Sequence, residues 1–170
     1  MKGTLGLVCG GVLLSSVAFP ALAVESSYTV ASASPPDAVW AKVGDFCGIS
    51  NLLPGLKCAL SEEGKVRTLT TPQGGVVVEH LDSRDDAART YTYTIITAGP
   101  LPVANYHSTL SVQPAGAGSS IVWTGKYDAK GASDDDAKKV IDGIYKTGAD
   151  NLAKREALGF RHAAGQPPAA

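Results

Sequence analysis

From Lys57 to Ala129 the chain alternates apolar and polar residues with a period of two, interrupted only by short turns. Strands joined that closely must run antiparallel, since a parallel pair needs a crossover of a dozen residues or more. "KCALSEEGKVRTLTTPQGG" reads as a hairpin turning at Glu63-Gly64, with Val66, Thr68 and Thr70 on one side of its second strand. "VVVEHLDS", the polar turn "RDDAA" and "RTYTYTIIT" follow. In the last of these Tyr91, Tyr93 and Ile95 share one face, against Thr92 and Thr94 on the other. Beyond the proline-marked break "GPLPV", "NYHSTLSVQP" sets Tyr106, Ser108, Leu110 and Val112 against His107, Thr109 and Ser111. "SIVWTGKYDA" then puts Ile121, Trp123 and Tyr127 on one face. No acidic residue interrupts the apolar faces traced in this way.

Helical signals flank these strands. "SSYTVASAS" is itself a strand, with Tyr28, Val30 and Ser32 on one face, and "SPPDAVWAKVGDF" after it reads as a short helix. Ser34 is its expected N-cap, Pro35 its first helical position, and Asp37 suits the helix dipole. Val39, Trp40 and Val43 cover one side, and residues 49–53 add a second short helical turn before Pro54-Gly55. At the C-terminal end Ser133 caps a long helix, Asp134, Asp135 and Asp136 load its first turn, and Asp136 holds the capping-box position. Ala137, Val140, Ile141, Ile144, Tyr145, Ala149 and Leu152 recur at intervals of three and four as one apolar stripe. The fold class is α+β: a curved antiparallel sheet of about seven strands, two short helices after the first strand, and one long helix. That helix is the only element large enough to cover the sheet. A strongly curved sheet around a single helix leaves an apolar cavity between them.

The first residues bear on the compartment. Lys2 precedes an uncharged run from Gly3 to Ala18, and "ALA" at 21–23 offers the small residues that a signal peptidase accepts. Residues 1–23 read as a signal peptide, 24–158 as one domain and 159–170 as a disordered tail. The run is glycine-rich and marginal for a membrane anchor, and Cys9 stands at its start, where a lipoprotein cysteine does not. No second apolar run follows, so no stable membrane insertion is expected after cleavage, and the protein is placed in the periplasm or secreted. Of the 15 Lys and Arg, 14 remain without Lys2, against 16 Asp and Glu. These charges are interspersed with no basic stripe, which argues against nucleic acid as a partner.

Export decides how to read Cys47 and Cys58. In an oxidising compartment two cysteines at this separation pair. Zinc needs three or four ligands, and no histidine stands nearby at finger-like spacing. Ten intervening residues also exclude a thioredoxin-like site. A Cys47–Cys58 disulfide is therefore expected as a staple.

Chemistry is harder to find. His162 lies in the tail, His107 points outward, and the direction of His80 depends on register. No nucleophile elbow appears, as a serine hydrolase of the usual kind would show. The aspartates of "SDDDAKK" are a helix start rather than a calcium loop, which alternates its oxygen ligands. No catalytic residue, metal ligand or cofactor is assigned. The aromatic faces carry more information. Buried tyrosines and tryptophans have polar tips that need partners. Tyr91, Tyr93, Tyr106, Leu110, Trp123, Tyr127, Ile141 and Tyr145 are the candidate ligand-binding residues, with a small apolar ligand as partner.

Several stretches resemble the polyketide cyclase/dehydrase branch of the START-related SRPBCC superfamily. They are "VWAKVGDFCGISNLLPGLKC", "VRTLT", "GGVVVEHLD", "YTYTII", "GPLPVANYHSTLSV", "IVWTGKYDAKG" and "GIYKTGADNL", together spanning Tyr28 to about Leu158. The resemblance implies the helix-grip fold and binding of a small apolar or lipid-like ligand. Two other readings come with it. One is a cyclase or dehydratase with Tyr93 or Tyr106 as acid; the other is an accessory protein to an exported enzyme such as a periplasmic dehydrogenase. Many relatives carry Trp-His-Pro where this chain has Leu52-Leu53-Pro54: if that imidazole acts in some of them, this chain lacks the group, and if the segment only walls the cavity, leucines serve as well.

Overall fold

The computed structural model describes residues 23–164, with side chains as far as Ala157; the expected signal peptide, apart from Ala23, lies outside them. Strand β1 (Val24–Ser32) leads into helix α1 (Pro36–Val43), a 3-10 turn at Phe46–Gly48 and the short helix α2 (Ile49–Leu52). Six strands follow: β2 (Lys57–Ser61), β3 (Val66–Thr70), β4 (Val76–Asp85), β5 (Thr90–Thr97), β6 (Val103–Ala115) and β7 (Gly118–Ala129). Helix α3 (Asp134–Ala164) closes the chain. All seven strands form one antiparallel sheet in the order β1-β7-β6-β5-β4-β3-β2. Only β1 leaves sequence order, pairing with β7 at the edge opposite β2.

Register shifts at Val78/Glu79 and Leu81/Ser83 on β4, and at Ala104/His107 on β6, break the regular ladder. Such irregularities bend a strand and increase its twist, which is how the sheet curves. Helix α3 lies in the concavity against β1, β7 and α2, while α1 covers β6 and β7 near the other end. Two glycines permit close approach. A Cβ at Gly148 would lie 2.8 Å from the Trp123 ring, and one at Gly125 would lie 2.1 Å from the Tyr145 hydroxyl. Trp123 and Tyr145 consequently stack with ring centroids 4.6 Å apart.

Two boundaries and one apolar face differ from the sequence reading. Helix α1 starts one residue later, with Pro35 as N-cap, Pro36 at the first helical position and no side-chain cap from Ser34. The Ser133 cap of α3 forms as expected, its Oγ accepting from the Asp136 backbone N–H at 3.2 Å and donating to the Asp136 carboxylate at 2.9 Å. At its other end α3 runs to Ala164, past the expected start of the tail at 159. "RHAA" continues with residues that a helix tolerates well, and residues 165–170 lie outside the described chain. The apolar stripe is also narrower than expected. Ala137, Ile141, Tyr145, Ala149 and Leu152 are buried, but Val140 is 41% exposed. At about 100° per residue, Val140 sits roughly a third of a turn from the centre of the stripe.

Cys47 and Cys58 form a disulfide that joins the 3-10 turn to β2, with 5.7 Å between Cα atoms. On the chain-entropy account a loop this short stabilises the fold by about 3 kcal/mol. The Cys47→Ser/Cys58→Ser double variant is expected to lose that much in urea unfolding, with a slightly steeper denaturant slope because its unfolded chain is less compact. A loss below about 1 kcal/mol would mean that the crosslink adds nothing to a segment already held by packing.

Candidate functional site

Helix α3 rests on the β1–β7 side of the concavity and stands off from β3, β4 and β5. Between them lies a cavity of about 310 Å³ with mostly apolar walls. Leu69, Val77 and Ile95 form its floor, Ile141 and Ile144 its roof, and Leu53 and Pro54 its mouth. The alternation of β3, β4 and β5 aims the floor residues inward, and the Pro54-Gly55 break carries the segment after α2 across the opening. Leu53 and Pro54 make that stretch aliphatic wall. The outer face of the sheet has a larger open concavity of about 710 Å³, lined by Thr92, His107, Thr109, Thr124 and Lys126. Its Glu25–Lys126 pair at 3.3 Å is solvated. The deeper, apolar space between helix and sheet is the better small-molecule site.

One end of the cavity is polar. Ser108 Oγ donates to the carbonyl of Thr124 at 2.6 Å, so its oxygen accepts from Trp123 Nε1 and from the Tyr145 hydroxyl, each at 3.1 Å. Having given its proton, Tyr145 accepts from Tyr106 at 2.5 Å. Trp123 Nε1 is shared with the Tyr93 oxygen, also at 3.1 Å. The Tyr93 hydroxyl keeps a proton with no acceptor among the described residues. Burial pushes the hydroxyls of Tyr93 and Tyr106 well above their ordinary range, and that of Tyr145 upward as well. At neutral pH all three hold their protons.

Beside this network lies an ion pair that contradicts the expectation of acid-free apolar faces. Arg67 is fully buried and Glu79 is 5% exposed. They face each other across β3 and β4 in register, and Arg67 Nε donates to Glu79 Oε2 at 2.5 Å. Arg67 Nη1 donates to the Phe46 carbonyl at 2.6 Å, and the guanidinium lies 4.1 Å from the Phe46 ring centre and 4.7 Å from that of Tyr93. Burial opposes the charge on Arg67, but the Glu79 carboxylate and neighbouring tyrosine oxygens outweigh it and raise its pKa. Glu79 also lines the cavity. A signal existed in the sequence, because Arg67 is in phase with Leu69, and Glu79 with Val77. A second buried acid, Glu156 on α3, is 3% exposed and pairs with Lys42 of α1.

Five of the eight candidate ligand-binding residues line the cavity: Tyr93, Tyr106, Trp123, Ile141 and Tyr145. Tyr91, Leu110 and Tyr127 are buried in the surrounding core. Tyr91 is covered by Trp40 and Phe46, with ring centroids 6.0 and 5.9 Å away. Tyr127 stacks on Tyr106 at 5.7 Å and shares a hydrogen bond with Ser26 of β1 at 2.7 Å. His107 is exposed, and His80 is turned outward against Asp82, at 2.9 Å. Among the described residues no three His, Cys, Asp or Glu side chains converge as a metal site would require, and no helix is long and apolar enough to cross a membrane.

A curved antiparallel sheet gripping one long C-terminal helix, with a cavity between them, is the helix-grip fold. Residues 23–156 match the family described as polyketide cyclase / dehydrase and lipid transport, and the chain belongs to that family. Among solved structures it is similar to XoxI from Bacillus cereus, at 31% identity and a TM-score of 0.76, over 79% of this chain and 96% of that one. An uncharacterised protein from Bacillus thuringiensis is 31% identical with a TM-score of 0.75, over 78% of this chain and 98% of the other. An aromatase/cyclase from a Streptomyces species shares the fold at 20% identity and a TM-score of 0.68, over 85% of this chain and 99% of that one. No curated protein matches the sequence.

The buried hydroxyls make a pH prediction. Burial raises Tyr91, Tyr93, Tyr106, Tyr127 and Tyr145 above the ordinary value of 10.0. The unfolded chain therefore releases these protons first as pH rises, so stability is intact below about pH 10 and falls above it. Tyrosinate absorbance from the five should appear in one steep step together with loss of the far-ultraviolet dichroism. Gradual ionisation of the five near pH 10 with the fold intact would show that their hydroxyls are solvated.

Proposed function

We propose that this is an exported binding protein that holds one small, largely apolar ligand between the sheet and α3. The observation that carries this reading is the apolar cavity itself. Its walls are aliphatic and aromatic, and its one polar end is already ordered by Trp123, Ser108 and Tyr145. Burial of ligand surface would supply affinity at roughly 25 cal/mol per Å², and the free Tyr93 proton would fix orientation.

Size narrows the ligand. A space of about 310 Å³ lies at the lower end of the range of small-molecule sites. That suits a compact ring system. Binding is favoured over acid catalysis by Tyr93 or Tyr106, because hydroxyls pushed well above their ordinary range donate hydrogen bonds but release protons poorly. The signal-peptide pattern at residues 1–23 and the disulfide support a site of action in the periplasm or outside the cell.

Gentle purification followed by native mass spectrometry is expected to reveal a bound small molecule. An environment-sensitive apolar dye should bind the emptied protein, and Ile144→Trp, which fills the cavity from α3, should weaken it at least ten-fold. Undiminished dye binding in that variant would put the dye elsewhere and remove the cavity as the site.

A further inference from the structure

Within that binding reading, on which this step rests, we infer that the cavity selects a neutral ligand carrying a hydroxyl group, whose proton is accepted by Oε1 of Glu79. Arg67 holds Glu79 by one prong, from Nε to Oε2. The other carboxylate oxygen makes no hydrogen bond to any described residue, and the Glu79 side chain forms part of the cavity wall. A carboxylate is an acceptor only. In an apolar pocket its free oxygen rewards a ligand that brings a proton and penalises one that strips its water without replacing the bond.

The neighbouring groups set the rest of the polar end. The Tyr93 hydroxyl still has a proton to give, so it can donate to the same ligand oxygen that bonds Glu79, or to a second acceptor beside it. Charge decides between a hydroxyl and an ammonium. Glu79 is already neutralised by Arg67, so a cationic ligand would add an uncompensated charge beside a buried guanidinium. A carboxylate ligand would meet Glu79 directly. A neutral alcohol or phenol avoids both penalties.

Naphthol, methoxynaphthalene, naphthalene and naphthalenemethylamine form a suitable probe set, read by calorimetry or fluorescence on the mature protein at neutral pH. Naphthol is expected to bind about ten-fold tighter than naphthalene, the scale of one hydrogen bond to a charged acceptor. Methoxynaphthalene keeps an oxygen that Tyr93 can bond but has no proton for Glu79, and should bind about ten-fold more weakly than naphthol. In Arg67→Met/Glu79→Leu, which removes both charges together and leaves Tyr93 in place, the naphthol-to-methoxynaphthalene ratio should fall to about one. The wild-type comparison of naphthol with its methyl ether does not depend on that variant folding. Equal binding of naphthol and methoxynaphthalene, tightest binding of the ammonium probe, or a preference for naphthol over methoxynaphthalene that survives in the double variant would each overturn the assignment. If all four probes bind alike, the cavity reading stands and the hydroxyl selectivity falls; if none binds, both fall.

Discussion

The seam where Tyr145 meets Trp123 fixes how far α3 stands from the sheet, and the cavity exists because of that distance. Ring stacking at 4.6 Å draws the helix down onto β7, and the bonds from Tyr145 to Ser108 and Tyr106 fix its rotation. Such contact requires that neither Gly125 nor Gly148 carry a side chain, since a Cβ at either position would collide with the seam. With the helix anchored on one side of a curved sheet, the opposite side cannot also be in contact. The space over β3, β4 and β5 thus follows from where the best contact was made, and needs no separate device to hold it open.

The Arg67–Glu79 pair is a different kind of constraint. Two charges taken out of water gain less from each other than their desolvation costs unless further bonds satisfy them. Here the Phe46 carbonyl and two aromatic rings serve the guanidinium, but Arg67 Nη2 and the Tyr91 hydroxyl remain buried without partners. An apolar pair of similar volume would serve stability at least as well. That such a pair faces a ligand-sized space is more readily explained by recognition than by stability. Phe46 also links this pair to the disulfide, because it adjoins Cys47 in the same turn.

Much of the architecture was legible from periodicity alone. The inward phase of Tyr91, Tyr93, Tyr106, Leu110, Trp123 and Tyr127 could be read from alternation, and α3 from its cap and stripe. What alternation does not carry is which inward residues meet open space. Tyr91 and Tyr93 share a face of β5, yet one is sealed by Trp40 and Phe46 while the other borders the cavity. That difference depends on how distant segments fold over the ends of the sheet. Arg67 and Glu79 were hidden for another reason: charged residues are almost always exposed, so a strand reading assigns them outward even when their phase says otherwise. Val140 shows the reverse error, an apolar residue whose spacing suits the stripe but whose angle does not.

The crosslink has a consequence beyond stability. The sheet does not close, so β1 and β2 are its two edges, and β2 is only five residues long. Unpaired edge strands invite pairing with strands of other molecules, and a short edge limits it. By tying β2 to the turn at Phe46–Gly48, the Cys47–Cys58 bond keeps that edge short and fixed. Its second contribution is to solubility, by denying neighbouring molecules a template for aggregation.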